Sequence, residues 1–398
     1  MAIKKLFICH SRAAAAEVHM LAAALRLRGI VPWVDQQGGF SLGDAQIDTA
    51  RRVIREECFG LLIYATTEAF ESDFIRRVEM NEALSAHDDD PAFQLVALPR
   101  QIDFRELTRL SLAAYGLDLA GFASRALTRN GVNAEGTTLD ALFTEVAREL
   151  LLKVLALTPM PLDSLQFQYS TRDRLAHEAD DVFCVDATRL FAEFGAMTDG
   201  ERWGRLHQGL RDIKVVVSQT LGRPRLQLHG SKHLTAAFLL GYAFPSTAFE
   251  LDLRVKHGVW ATDCRPAMDL PMSVDVRGGS ASSTSLHVEV STLHQTVAGA
   301  VRRYVKRTGR SPLVTLRITV SPVAYDEMMT NAAAVAIAHR VRQEVAQIVG
   351  RQPFEEIDLF AAVPQALATM IGQRLNALPP VQLYEYDGQE YHPSYRLH

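Results

Sequence analysis

The stretch CFGLLIYA at 58–65 is apolar throughout. A strand on a half-wet sheet alternates apolar with polar residues, so an unbroken apolar run bounded by helix-like segments is a strand buried on both faces. It belongs to a series. KLFIC (5–9) is a shorter apolar run, and AEVHMLAAALRLRG (16–29) carries leucines and alanines at helical spacing before stopping at Gly29, a natural C-terminal cap. IVPWV (30–34) is strand-like, AQIDTARRVIREE (45–57) helical, and FQLVALP (93–99) a fourth strand. Buried strands alternating with helices make a parallel sheet covered on both faces. The first third of the chain is therefore expected to be a flavodoxin-like α/β domain. HSRAA follows its first strand, in place of GxGxxG or GxxxxGK[ST], which disfavours an ordinary dinucleotide fold or P-loop.

TLDALFTEVARELLLKVLAL (138–157) reads as a long amphipathic helix, and the two prolines of TPMPLDS (158–164) break it. The domain boundary is expected there, giving 1–157 and 158–398. The net charge of −4 provides no global basic field for long nucleic acid. The four cysteines are scattered without a CxxC pair, so neither a zinc knuckle nor a disulfide framework is indicated. AHEADD (176–181) lacks the HExxH spacing of a zinc helix and reads as a solvated acidic turn, so no metal is expected. The opening MAIKKLFICHS is too short an apolar run for a secretory signal, and no segment reaches the ~18 apolar residues of a membrane span. A cytoplasmic protein without a membrane partner is expected.

The second part contains an internal echo. RLQLHG, SKHLTAAFLLGYAF and PSTAFELDL (225–253) read as strand, helix, strand, and IDLFAA, VPQALATMIGQRLN and ALPPVQLY (357–384) repeat that order. Gly241 and Gly372 are 131 positions apart, as are Leu253 and Tyr384. A second pair, 285–305 and 313–345, repeats strand, short turn, helix. Together they suggest a duplicated Rossmann-like domain with a ligand pocket at its strand ends.

Four turns in this part start helices: HGSKH (229–233), VSTLH (290–294), VSPVA (320–324) and AAVPQ (361–365). Helix N-termini offer free N–H groups and a positive dipole end to anions. Ser231, Ser291 with Thr292, and Ser321 with Pro322 stand in these turns, and Lys232 and His233 add donors. Capping alone explains any one serine; four turns in two matched pairs favour an anion pocket. Trp260, Tyr384, Tyr391 and Tyr395 are candidates for stacking on bases, against core packing as the plainer role.

KLFICHSR (5–12), GIVPWVD (29–35), GGFSLGD (38–44), LLIYATTEAFESDF (61–74) and VEMNEAL (78–84) together resemble a Toll/interleukin-1 receptor (TIR) domain over about residues 1–135. Cys9 departs from the family's usual serine, Phe74 stands where tryptophan is frequent, and the step from Phe74 to Glu79 is one residue longer than in the commonest form. Glu79 matches the family's glutamate better than Glu82 because it heads Glu-x-x-x-Ala-Leu. KHLTAAFLLGYAF (232–244), Trp260 and LFAAVPQALATMIGQRLNALPPVQLYEYDGQEYHPSYRL (359–397) resemble a SAVED domain, a fused pair of CARF-like Rossmann halves, over about 160–398.

TIR–SAVED fusions are similar to effectors of cyclic-oligonucleotide antiphage defence. The resemblance implies that a cyclic oligoadenylate, cyclic triadenylate first, binds the SAVED domain and drives head-to-tail assembly into a filament. The TIR domain would then cleave NAD+ to nicotinamide and ADP-ribose. NAD+ is substrate here, and no cofactor is expected. The resemblance assigns catalysis to Glu79, with His10, Ser11, Trp33, Asp44 and Phe74 lining the NAD+ cleft. A TIR scaffold that cleaves nothing is the alternative; a carboxylate in the helix after the third strand favours the enzyme.

Overall fold

The computed structural model describes residues 5–34, 44–125, 138–157, 164–173, 183–193, 195–292, 296–320 and 329–398. Contacts within the chain divide it into two units. One comprises Met1–Leu162, Ala176–Val185 and Val215–Gly222; the other comprises Asp163–Leu175, Asp186–Lys214 and Arg223–His398.

In the first unit, β1 (Lys5–Cys9), β2 (Pro32–Val34), β3 (Cys58–Ala65) and β4 (Gln94–Pro99) form one parallel sheet in the order β2-β1-β3-β4. That is the order of flavodoxin-like sheets, whose ligand crevice lies outside the carboxyl ends of the strands where the order reverses, between β1 and β3. All eight residues of β3 are buried. This is the burial that its unbroken apolar run requires. Helices Ala15–Arg26 and Leu139–Ala156 turn buried leucine, valine and alanine faces inward.

The stretch after β3 is not one helix. Thr67–Glu71 is a short α-helix started by the Thr66 hydroxyl, which accepts from the Ala69 N–H. Ile75–Met80 is a π-helical turn, and Asn81–Asp89 continues as α-helix.

In the second unit, β5 (Ser164–Ser170), β7 (Arg225–His229) and β8 (Leu251–Val255) pair in parallel, and β9 (Gly258–Ala261) closes antiparallel on β8. Strand β6 (Phe183–Asp186) straddles the division between the units. A further sheet holds β10 (Met272–Gly278), β11 (Ser285–Ser291), β12 (Val314–Val320), β13 (Glu356–Ala362), β14 (Val381–Tyr386) and β15 (Tyr391–Leu397), ordered β10-β12-β11-β13-β14-β15. Its four middle strands are parallel and its two edge strands antiparallel.

The first echo has structural substance. Each copy is strand, helix, parallel strand, then an antiparallel neighbour. Helices Leu234–Ala243 and Gln365–Gly372 meet at their glycines. A Cβ on Gly241 would stand 2.0 Å from the Thr369 carbonyl oxygen, and one on Gly372 would stand 2.3 Å from that of Phe238. Phe238 and Thr369 are separated by the same 131 positions as the two glycines. The contact is reciprocal, as in a twofold interface. The second echo does not divide between the sheets: β11 and β12 are side-by-side neighbours in one of them.

Candidate functional site

A cavity of about 580 Å³ opens in the second unit at the carboxyl end of β13. The echoed helices both begin at it. His233 and Pro364 are their N-terminal flanking residues, and neither supplies a side-chain cap. Gln365 ties the two starts together: its Nε2 donates to the Lys232 carbonyl at 2.6 Å, and its Oε1 accepts from the Lys232 N–H at 3.2 Å.

Glu385, on β14, lines the cavity and supplies the missing cap. Its Oε1 accepts from the Thr235 N–H at 2.5 Å. Burial pushes its carboxyl up to about 7, opposed by hydrogen bonds from Thr235, by the Arg172 charge and by the Leu234 N–H. Lys232 is 8% exposed, and its Nζ donates to the Gly230 carbonyl at 2.8 Å. With no carboxylate in ion-pair range among the described residues, burial lowers its ammonium to about 8. His233 is pushed down to about 4 by burial and then by Arg172, so it is neutral at physiological pH. Its Nδ1 lies 3.0 Å from the Thr171 hydroxyl, which also accepts the His233 N–H at 2.8 Å. Tyr391 lines the cavity as well, its hydroxyl donating to the Ala361 carbonyl at 3.1 Å.

Of the residues expected in this pocket, Lys232, His233 and Tyr391 therefore come together. Ser231 does not cap a helix; it donates to Asp173 at 2.8 Å. Ser291 and Thr292 are buried at the end of β11, where the Thr292 N–H donates to the Ala362 carbonyl at 3.1 Å. They brace the cavity-lining end of β13 without lining the cavity themselves. Trp260 pairs with Leu253 on edge strand β9 and is not part of the lining. Tyr384 is committed to the core, donating to Asp358 at 2.6 Å, and the Tyr395 hydroxyl contacts His207 at 3.2 Å. Ser321, Pro322 and AHEADD lie outside the described residues. Glu385 and Arg172 were not anticipated. The signal for Glu385 is its alternation with Val381 and Leu383, which sets a carboxylate on the inward side of a strand.

In the first unit, Glu79 sits in the π-helical turn and is 5% exposed. The thiol of Cys9, the last residue of β1, is raised by burial and by the Glu79 carboxylate to which it donates a hydrogen bond. The Tyr115 hydroxyl is raised by burial first, then by Cys9 and Glu79, and Arg76 opposes the shift. Glu79 thus lies against the carboxyl end of β1, beside the order reversal. Ser11 and Thr66 face each other across that reversal, with their hydroxyl oxygens 3.4 Å apart. Glu82 is instead ion-paired with Arg55 and, at 3.6 Å, with Arg51. Trp33 is stacked on Phe7 with ring centroids 4.5 Å apart. His10 and Phe74 are half-buried. Asp44 begins helix Asp44–Arg52, and the glycine-rich loop before it lies outside the described residues.

Among the described residues, no cluster of histidine, cysteine, aspartate or glutamate is arranged to hold a metal, and no helix is long and apolar enough to cross a membrane. No curated protein matches the chain in sequence. A solved structure similar to it is the Acinetobacter baumannii Cap4 SAVED/CARF-domain containing receptor with the cyclic trinucleotide 3'3'3'-cAAA. The identity is 12% over 96% of this chain and 97% of that one, with a TM-score of 0.52. The same receptor with 2'3'3'-cAAA gives 14% identity at the same coverage and a TM-score of 0.49. The first likeness shows a shared fold. The family model for the "SMODS-associated and fused to various effectors sensor domain" matches residues 210–397. The C-terminal part of this α/β chain, residues 210–397, is therefore a SAVED domain.

Proposed function

We propose that this chain is a ligand-gated effector of cyclic-oligonucleotide antiphage defence. A cyclic oligoadenylate, cyclic triadenylate first, enters the cavity between the two echoed helix starts. Binding drives head-to-tail assembly, and the N-terminal unit, a TIR domain, then hydrolyses NAD+. The observation that carries the receptor half is Lys232, a buried ammonium without a carboxylate partner among the described residues, set at a helix N-terminus in a SAVED cavity. An anionic ligand supplies the charge this site lacks. The Acinetobacter baumannii relative, solved with a cyclic trinucleotide, supports the ligand class.

For the hydrolase half, the support is a buried glutamate at the order reversal of a flavodoxin-like sheet. Breaking the nicotinamide–ribose bond builds positive charge on ribose C1. The Glu79 carboxylate stabilises that charge. The leaving nicotinamide departs as a neutral pyridine and needs no proton, so one carboxylate suffices. Water adds to C1 and loses a proton, giving ADP-ribose. Because Glu79 is 5% exposed, the cleft must open before NAD+ reaches it. Assembly supplies that step.

Glu79→Gln tests the assignment. With cyclic triadenylate and NAD+ present, nicotinamide release should fall at least ~100-fold, while cyclic triadenylate binds as tightly as to the wild type. Turnover that survives the change removes Glu79 from the chemistry. A wild type that assembles on ligand without releasing nicotinamide is a scaffold.

A further inference from the structure

A second cavity, of about 460 Å³, lies in the same unit, lined by Thr171, Asp173, Thr188, Phe191 and, most tellingly, Arg172 and Arg189. It shares Arg172 and His233 with the first cavity, so the two chambers have a common wall.

The charges around this wall are unequal in their commitments. Among the described residues, neither Arg172 nor Arg189 has an ion pair. Arg202 and Arg225 in the same unit are each held by two or more carboxylates. The acidic side chains of the two chambers are already engaged. Asp173 accepts from Ser231 at 2.8 Å, and Glu385 accepts from the Thr235 N–H. Asp387 accepts from the N–H groups of Gln389 and Glu390 and contacts His392 at 2.8 Å. Among the described residues, the charged side chains of the two chambers that stand outside an ion pair or a side-chain carboxylate hydrogen bond are cationic: Lys232 in the first chamber, Arg172 at the wall, whose charge also acts on Glu385, and Arg189 in the second.

Each chamber falls within the roughly 300–1,000 Å³ of sites that enclose a drug-sized molecule. A ring of several nucleotides is larger, and its phosphates are spaced apart. We propose that the ligand spans both chambers, with Arg172 and Arg189 binding phosphates that the first chamber leaves outside. Arginine suits this work because its planar fork binds phosphate oxygens in pairs. The inference rests on the receptor reading above and adds to it a second chamber and two phosphate-binding residues.

The test is equilibrium binding of 3'3'3'-cyclic triadenylate at several salt concentrations. It compares wild type, Arg189→Ala, Arg189→Glu, Arg189→Lys and Lys232→Ala. Arg189 is exposed, so its variants should fold as the wild type does. Arg189→Ala is expected to weaken binding about tenfold, Arg189→Glu to weaken it further and Arg189→Lys to restore part of it. The slope of log affinity against log salt should fall by about one in Arg189→Ala. If Lys232→Ala loses affinity while the alanine and glutamate variants of Arg189 bind as the wild type does, the ligand is confined to the first chamber. The two-chamber inference then fails and the receptor reading stands. If the wild type binds no cyclic triadenylate, both fall.

Discussion

Glu79 and Lys232 are the side chains that define the two candidate sites, and both are buried. For Glu79 the telling feature is the π-helical turn Ile75–Met80. One residue added to an α-helix rotates everything beyond it by about 100°. A π turn takes up the extra residue within the turn. Ile75, Val78, Glu79 and Met80 consequently remain inward, and Glu82 points to Arg55. The longer step after Phe74 was visible in the sequence; the backbone that absorbs it was not, because α and π turns have no distinct residue signature. Lys232 yields a pH prediction. Burial lowers its ammonium to about 8, and a bound phosphate raises it. Between those two values binding takes up a proton, so affinity falls as pH rises above about 8. Calorimetry with cyclic triadenylate at pH 7 and pH 9 should show the loss in the wild type. In Lys232→Met, binding should be weaker and the fall above pH 8 absent, leaving only the change near pH 7 that comes from Glu385.

At the scale of elements, the crossing of helices Leu234–Ala243 and Gln365–Gly372 sets where Lys232 and Gln365 stand. Gly→Ala inside a helix ordinarily stabilises by up to ~1 kcal/mol. Here the sign should reverse. The added methyl of Gly241→Ala would meet the Thr369 carbonyl at 2.0 Å, and Gly372→Ala would meet Phe238 in the same way. Each is expected to cost about 1–3 kcal/mol, measured by urea unfolding, and to weaken ligand binding by shifting both helix starts. The strands were legible because full burial demands continuous apolar runs, as in CFGLLIYA. The 131-residue offset was legible because duplication leaves its spacing in the chain. The partners of the helix-start turns were less legible. Ser231 looks like a cap, yet the cap is Glu385, about 150 residues away and brought there only by the sheet. Trp260 looked like a stacking platform because of its residue type; its place on edge strand β9 follows from tertiary pairing.

For the whole molecule, two α/β units each place a candidate site at the reversal point of a parallel sheet. In the first, the strand ends around it and the turns that follow them carry Cys9, Ser11, Thr66 and, beside them, Glu79. In the second, β11 and β13 flank the reversal, and the end of β13 opens into the cavity of about 580 Å³. Net charge, cysteine spacing and hydropathy narrowed the classes of function without naming one; the SAVED tail and the reciprocal glycine crossing did more. In the function proposed above, a cyclic nucleotide in the second unit switches on NAD+ cleavage in the first. Nicotinamide release from NAD+ by the purified full chain reads this coupling out. Cyclic di-, tri- and tetra-adenylates would be titrated in turn, with light scattering recorded alongside. Release should be negligible without ligand and should rise together with scattering when cyclic triadenylate is added. Release that is equal with and without every cyclic nucleotide, or absent with all of them, would contradict it.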